Sequence, residues 1–233
     1  MRVSAILVAA GSSRRMGFDK LDADLAGETV LVRSLLAFEA CPDVMEIRVV
    51  TAHEKFPAVI GAADRLGLAK VVEVLPGGAE RHLSVHAGLS RVDAGCDLVA
   101  VHDAARPLVT PSAISRCAEE AAACGAATLA HRVADTLKRA NAAGEVTEAV
   151  SRDSLWAMET PQIFSRSLLV EAYAALLERG ELATDEVSAV AALGHTVRLV
   201  ENLEPNLKIT VPGDLVVAGA VWRAREEGRQ GFP

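Results

Sequence analysis

Several things missing from this sequence narrow its function before any motif is read. It has no excess of positive charge: 24 Lys and Arg stand against 31 Asp and Glu, a net charge of -7. A general nucleic-acid or membrane-binding surface needs the opposite balance, so any anion site must be local. It has no paired cysteines. Cys41, Cys96, Cys117 and Cys124 form no CxxC and have no histidine at metal spacing, which argues against a zinc module and predicts buried free thiols in a reducing cytoplasm. No apolar run reaches the roughly 18 to 20 residues that a transmembrane helix requires. Gly11 and Gly17 are separated by SSRRM and no Gly-Lys-Ser/Thr follows, so neither a GxGxxG dinucleotide fingerprint nor a Walker loop is present.

With 233 residues, 51% of them hydrophobic, the chain can fill one α/β domain with a large core and is short for a second. Residues 3 to 8 form a short branched apolar run that reads as a buried strand and ends in Ala9, Ala10 and Gly11. Small residues at 9 to 13 let backbone approach a ligand closely, and consecutive N–H groups in such a loop suit phosphate oxygens. Arg14, Arg15 and Lys20 then add positive charge. Amides backed by fixed cations are what a nucleoside triphosphate needs if its α-phosphate is to be attacked while pyrophosphate leaves. Plainer readings compete: a secretory signal, for which the apolar run sits at the short limit, and a strand-to-helix loop with merely solvated arginines.

Further along, strands are expected at 46–51, 71–75 and 98–101, with helices at 29–40, 56–66 and around Val85, Leu89 and Val92. This alternation predicts a doubly wound, mostly parallel twisted sheet with helices on both faces and ligands beyond the carboxyl ends of its strands. Asp103 stands at such an end, where a carboxylate can hold a metal-bound water or a ribose hydroxyl, or simply cap a turn. The neighbouring His102 reads as structural. After a helix ending near Ala123 and a strand at 126–131, residues 133–139 and 145–150 are polar and alternating, and Asn141-Ala142-Ala143-Gly144 between them is a hairpin signal. An isolated hairpin is marginal in water, so this arm must lean on something. Helices are expected at 168–178 and 186–193, the second capped by Thr184-Asp185-Glu186, and strands at 196–200 and 207–210. Pro212 opens a last helix, and a charged tail from Arg225 has no evident task.

Ala9-Ala10-Gly11, Arg15-Met16-Gly17 and Lys20 together resemble the AAGxxxRMGxxK loop of nucleotidyltransferases that join a nucleoside triphosphate to a phosphorylated sugar, sugar alcohol or cofactor. Within that superfamily, GGAERHLSV (77–85), VHDAARP (101–107), ADTLKR (134–139), SRDSLWAMETPQIF (151–164), TDE (184–186) and NLKIT (206–210) resemble the 2-C-methyl-D-erythritol 4-phosphate cytidylyltransferase family, in order over nearly the whole chain. The resemblance implies one Rossmann-like domain over 1–233 and an arm at 133–159 that crosses to a second subunit of a homodimer. It implies CTP and a sugar-alcohol phosphate as substrates and magnesium as the divalent cofactor. It places Ala9, Ala10, Gly11, Gly78, Ser84, Asp103 and Ala104 at the nucleotide, and Asp103 also at the metal. Arg106, Thr136, Arg152 and Thr160 fall at the acceptor, with Arg15, Lys20 and Lys208 as catalytic cations. One departure is Leu83, where the family commonly has Asp before the serine. A ribitol 5-phosphate cytidylyltransferase would carry most of these motifs, a molybdopterin nucleotidyltransferase only the opening loop, and a non-catalytic nucleotide-binding module only base and phosphate grips.

Overall fold

A computed structural model describes residues 1–11 and 16–229. In chain order its elements are β1 (Val3–Val8), β2 (Asp24–Leu25), β3 (Glu28–Thr29), α1 (Val30–Glu39), β4 (Val44–Thr51), α2 (Phe56–Leu66), β5 (Val71–Pro76), α3 (Arg81–Leu89), β6 (Leu98–Asp103), α4 (Pro111–Cys124), β7 (Ala126–Arg132), β8 (Leu137–Ala140), β9 (Val146–Val150), β10 (Trp156–Ser165), α5 (Arg166–Glu178), α6 (Glu186–Ala191), β11 (Arg198–Glu201) and α7 (Pro212–Arg229). Seven strands form one sheet in the order β11-β7-β10-β6-β1-β4-β5. The run from β6 through β1 and β4 to β5 is parallel, whereas β10 is antiparallel to both its neighbours.

The continuous apolar runs of β1 and β6 reflect burial on both faces. Val3, Ala5 and Leu7 of β1, with Leu98 and Ala100 of β6, pack into one core with α1, α2, α4 and α7. Ile6, Val99 and Val101 face the other core, which α3, α5 and α6 cover. Leu35, Phe38, Ile114 and Leu169 are fully buried, each contributing about 1.5–3 kcal/mol of transfer free energy. The doubly wound sheet expected from the alternation is thus the observed architecture. No helix among the described residues is long and apolar enough to cross a membrane.

Four details differ from the sequence expectations. The chain does not merely return to the body through Thr160-Pro161-Gln162: β10 runs for ten residues, and Trp156 to Met158 pair with Arg132 to Ala130 of β7. Within the arm expected at 133–159, the ribbon is formed by β8 and β9, and the last residues of that range already belong to β10. Residues 207–210 are not a strand. Ile209 is buried, yet its tie to the body is one hydrogen bond from its N–H to the Ala105 carbonyl at 2.8 Å, so its apolar alternation reports burial of a loop. Residues 225–229 are no free tail but the end of α7, where Arg225 donates to the carbonyls of Leu108 (2.6 Å) and Pro205 (3.1 Å); residues 230–233 lie outside the described residues. Cys41 and Cys117 are buried thiols as expected, while Cys96 is half-buried and Cys124 exposed.

Candidate active site

The carboxyl ends of the parallel strands open into a cleft of about 430 Å³. Ala9, Ala10 and Gly11 line it after β1, Gly78 to Arg81 and Ser84 around the start of α3, Asp103 and Ala105 at the end of β6, and Lys20 and Lys208 from two loops. The loops after β1 and β5 meet as closely as backbone allows. A Cβ on Gly77 would lie 2.3 Å from that of Ala10, and one on Gly78 would lie 2.4 Å from that of Leu83. Ser84 Oγ accepts from the Gly78 N–H at 3.0 Å and donates to the Glu80 carbonyl at 3.2 Å, so its hydroxyl shapes this loop. Ala104 is fully buried, its N–H donating to Val8, and Ala105 takes its place on the cleft wall.

Asp103 is held between two cations. Its Oδ2 accepts from Lys208 Nζ at 2.7 Å and its Oδ1 from Arg81 Nε at 3.1 Å. Burial alone would push its carboxyl up, but the charges of Arg81 and Lys208 outweigh that and hold its pKa well below the usual carboxylate range. Arg81 in turn grips Glu186 in a fork, Nη1 to Oε1 at 2.7 Å and Nη2 to Oε2 at 3.0 Å, a geometry that only a guanidinium offers. Glu186 is fully buried and also accepts from the Tyr173 hydroxyl at 2.9 Å. Asp185 does cap α6, accepting from the Ser188 N–H at 3.0 Å, as its sequence position suggested. Arg81 and Glu186 lie in two of the resembling stretches, 77–85 and 184–186, yet their pairing is not legible there, because 105 residues separate them and no local pattern joins them.

Behind Asp103 runs a chain of neutral hydrogen bonds. Thr160 Oγ1 accepts from the Asp103 N–H at 3.1 Å and lies 3.0 Å from His102 Nδ1, while His102 Nε2 lies 3.2 Å from the Arg106 carbonyl. A carbonyl can only accept, so Nε2 carries the proton and Nδ1 accepts from Thr160. Burial pushes His102 down to about 3, which keeps its ring neutral in this chain of bonds. Arg106 Nη1 and Nη2 donate to the carbonyls of Asn206 (2.8 Å) and Met158 (3.2 Å). Two of the residues assigned to the acceptor by resemblance, Arg106 and Thr160, are thus engaged in bracing the cleft floor.

This buried histidine sets an acid limit. Its pKa is about 6.5 unfolded and about 3 folded, so below pH 6.5 the unfolded chain binds the extra proton. The contribution is full above about pH 6.5 and is lost as pH falls toward 3. Between about pH 7 and 4.5 it amounts to roughly 2–3 kcal/mol. Urea denaturation at the two pH values should show that loss, and His102→Gln, which cannot titrate, should lack it. An unchanged acid slope in His102→Gln would assign the loss to other groups.

Thr136 and Arg152 lie on the exposed arm, outside the cleft of their own chain. Arg152 Nη1 donates to the Ala134 carbonyl. Arg15, and Arg14 beside it, fall outside the described residues. Among the described residues no three His, Cys, Asp or Glu side chains gather into a metal cluster. The buried, anionic Asp103 fits a magnesium ion that arrives with most of its oxygen ligands on a triphosphate.

A doubly wound sheet whose opening loop, Asp103, Lys20 and Lys208 converge on one cleft defines an α/β nucleotidyltransferase. The chain belongs to the IspD family: the sequence model described as 2-C-methyl-D-erythritol 4-phosphate cytidylyltransferase matches residues 3–224. The enzyme of that name from Pelotomaculum thermopropionicum is 40% identical over 228 residues, covering 97% of this chain and 96% of its own. That from Alkaliphilus metalliredigens is 37% identical over 232 residues, covering 98% and 96%. Among solved structures, the 2-C-methyl-D-erythritol 4-phosphate cytidylyltransferase of Thermus thermophilus is similar with a TM-score of 0.78 at 34% identity, covering 94% of this chain and 98% of that one.

Proposed function

We propose that the protein transfers CMP from CTP to 2-C-methyl-D-erythritol 4-phosphate, releasing pyrophosphate, in non-mevalonate isoprenoid biosynthesis in the cytoplasm. The observation that carries this reading is the Arg81–Asp103–Lys208 arrangement at the strand ends of an IspD-family fold. An oxygen of the acceptor phosphate attacks the α-phosphorus in line. A new bond forms between that oxygen and the α-phosphorus, and the bond to the β-phosphate bridge breaks with its electron pair leaving on pyrophosphate. Because the acceptor phosphate is already anionic near neutral pH, no general base is needed, and catalysis reduces to positioning and charge stabilisation. Lys20, Lys208 and Arg15 meet the charge on the phosphates. Ala9, Ala10, Gly11, Gly78 and the loop shaped by Ser84 receive the nucleotide, and Ala104 supports its wall. Asp103 orients the ribose or would hold a magnesium ion, which when bound would supply charge neutralisation on the triphosphate. A pyrophosphate-release assay across four nucleoside triphosphates, with methylerythritol phosphate and ribitol 5-phosphate as acceptors, tests this. Turnover confined to ribitol 5-phosphate, or nucleotide binding without turnover, would replace it.

In the same reading the acceptor site is completed across a two-fold axis. The arm residues Thr136 and Arg152 are exposed on a thin polar ribbon, which is marginal unless it rests on another surface. Placed on a second copy, they close the acceptor site over the floor that Arg106 and Thr160 brace. Co-expressing Lys20→Ala chains with Arg152→Ala chains, each inactive alone, then leaves one intact site in every mixed dimer. Random pairing should restore roughly a quarter of wild-type activity. If the arm serves its own chain, every site keeps a lesion and mixed dimers stay inactive.

A further inference from the structure

The loop between β11 and α7 carries Lys208 without any strand or helix to hold it, and one buried carboxylate stands where its anchors converge. Glu159 of β10 is 3% exposed. Its Oε2 accepts from Asn202 Nδ2 at 2.9 Å and from Asn206 Nδ2 at 2.8 Å, and its Oε1 lies 2.7 Å from His131 Nδ1 on β7. Asn206 also donates to the Thr160 carbonyl at 3.0 Å and accepts from Arg106 through its own carbonyl. Asn206 is two residues before Lys208, so the base of the lysine's loop is tied to β10 by two bonds, to the Glu159 carboxylate and to the Thr160 carbonyl.

We infer that Glu159 is a positioning residue for the reaction, holding Lys208 in place through Asn206. The inference rests on the role proposed above for Lys208. Glu159 acts through another residue: it is buried and is not among the residues that line the cleft. What it supplies is hydrogen-bond acceptance at two oxygens, which a carboxylate provides and an alkyl group does not. A small displacement of a group that acts on the reacting atoms is costly in rate, about 10²-fold for an ångström. Losing this anchor should therefore appear in kcat.

The test compares Glu159→Ala, Glu159→Gln, Asn206→Ala, Lys208→Ala and the Glu159→Ala/Lys208→Ala double variant in steady-state turnover. Glu159→Ala should lower kcat by roughly 10-fold or more while KM for CTP changes less than about threefold. Glu159→Gln should recover kcat to within about threefold of wild type, because its amide oxygen can serve both asparagines and its amide nitrogen can face His131. In the Lys208→Ala background, adding Glu159→Ala should change kcat less than about twofold, since its effect passes through that lysine. Asn206→Ala leaves Glu159 with Asn202 and His131, and it should reproduce the kcat loss even if Glu159→Ala does not fold. Wild-type kcat in folded Glu159→Ala or Asn206→Ala, or losses that multiply in the double variant, would overturn the inference alone. Wild-type kcat in Lys208→Ala would overturn the proposed role of the lysine, and the inference with it.

Discussion

Lys208→Ala should lower kcat by roughly 10²-fold or more and leave KM for CTP within a few-fold, and Lys20→Ala should do the same. Both side chains line the cleft from loops outside the sheet, so each removes a charge from the cleft without opening the core. Lys208 sits against Asp103 at 2.7 Å, and the carboxylate keeps Arg81 when the lysine is deleted. The expected signature is therefore loss of transition-state stabilisation with the fold intact, read by steady-state kinetics beside a denaturation curve. Lys20→Arg should not restore full rate, because a planar guanidinium cannot occupy the place of a compact ammonium. A change confined to KM would reassign these lysines to ground-state binding.

Excess chelator should abolish turnover, and added magnesium should restore it. The donor set leads to this expectation: Asp103 is a single buried carboxylate, kept anionic by Arg81 and Lys208 against the effect of its own burial. An ion bound chiefly through the triphosphate is then lost with the free metal in solution. Asp103→Asn keeps the shape but removes the charge between two cations, so it should raise the magnesium concentration needed for half-maximal rate or weaken CTP binding. Full turnover in excess chelator would exclude the mechanism. Unchanged magnesium and CTP titrations in Asp103→Asn would leave Asp103 as a turn residue.

The sequence by itself determined the parallel half of the sheet, since strands buried on both faces must be written as continuous branched apolar runs such as 3–8 and 98–101. It also determined that Asp103 ends one of those strands, and that the arm is a hairpin. Asn141 there accepts from the N–H groups of Ala143 and Glu145, at 3.0 Å each, and Gly144 takes a φ of +81°. Strand β10 was hidden because Thr160-Pro161-Gln162 interrupts its pairing, with a register shift between Met158 and Gln162. Leu207-Lys208-Ile209 alternates as a strand would, and only the packed body decided that this alternation belongs to a loop. The ion pair of Arg81 with Glu186 and the convergence of Asn202, Asn206 and His131 on Glu159 likewise became visible only when distant segments met. Periodicity and turn chemistry report what each residue does within a few positions of itself, whereas a buried charge must find its partners wherever the fold brings donors together.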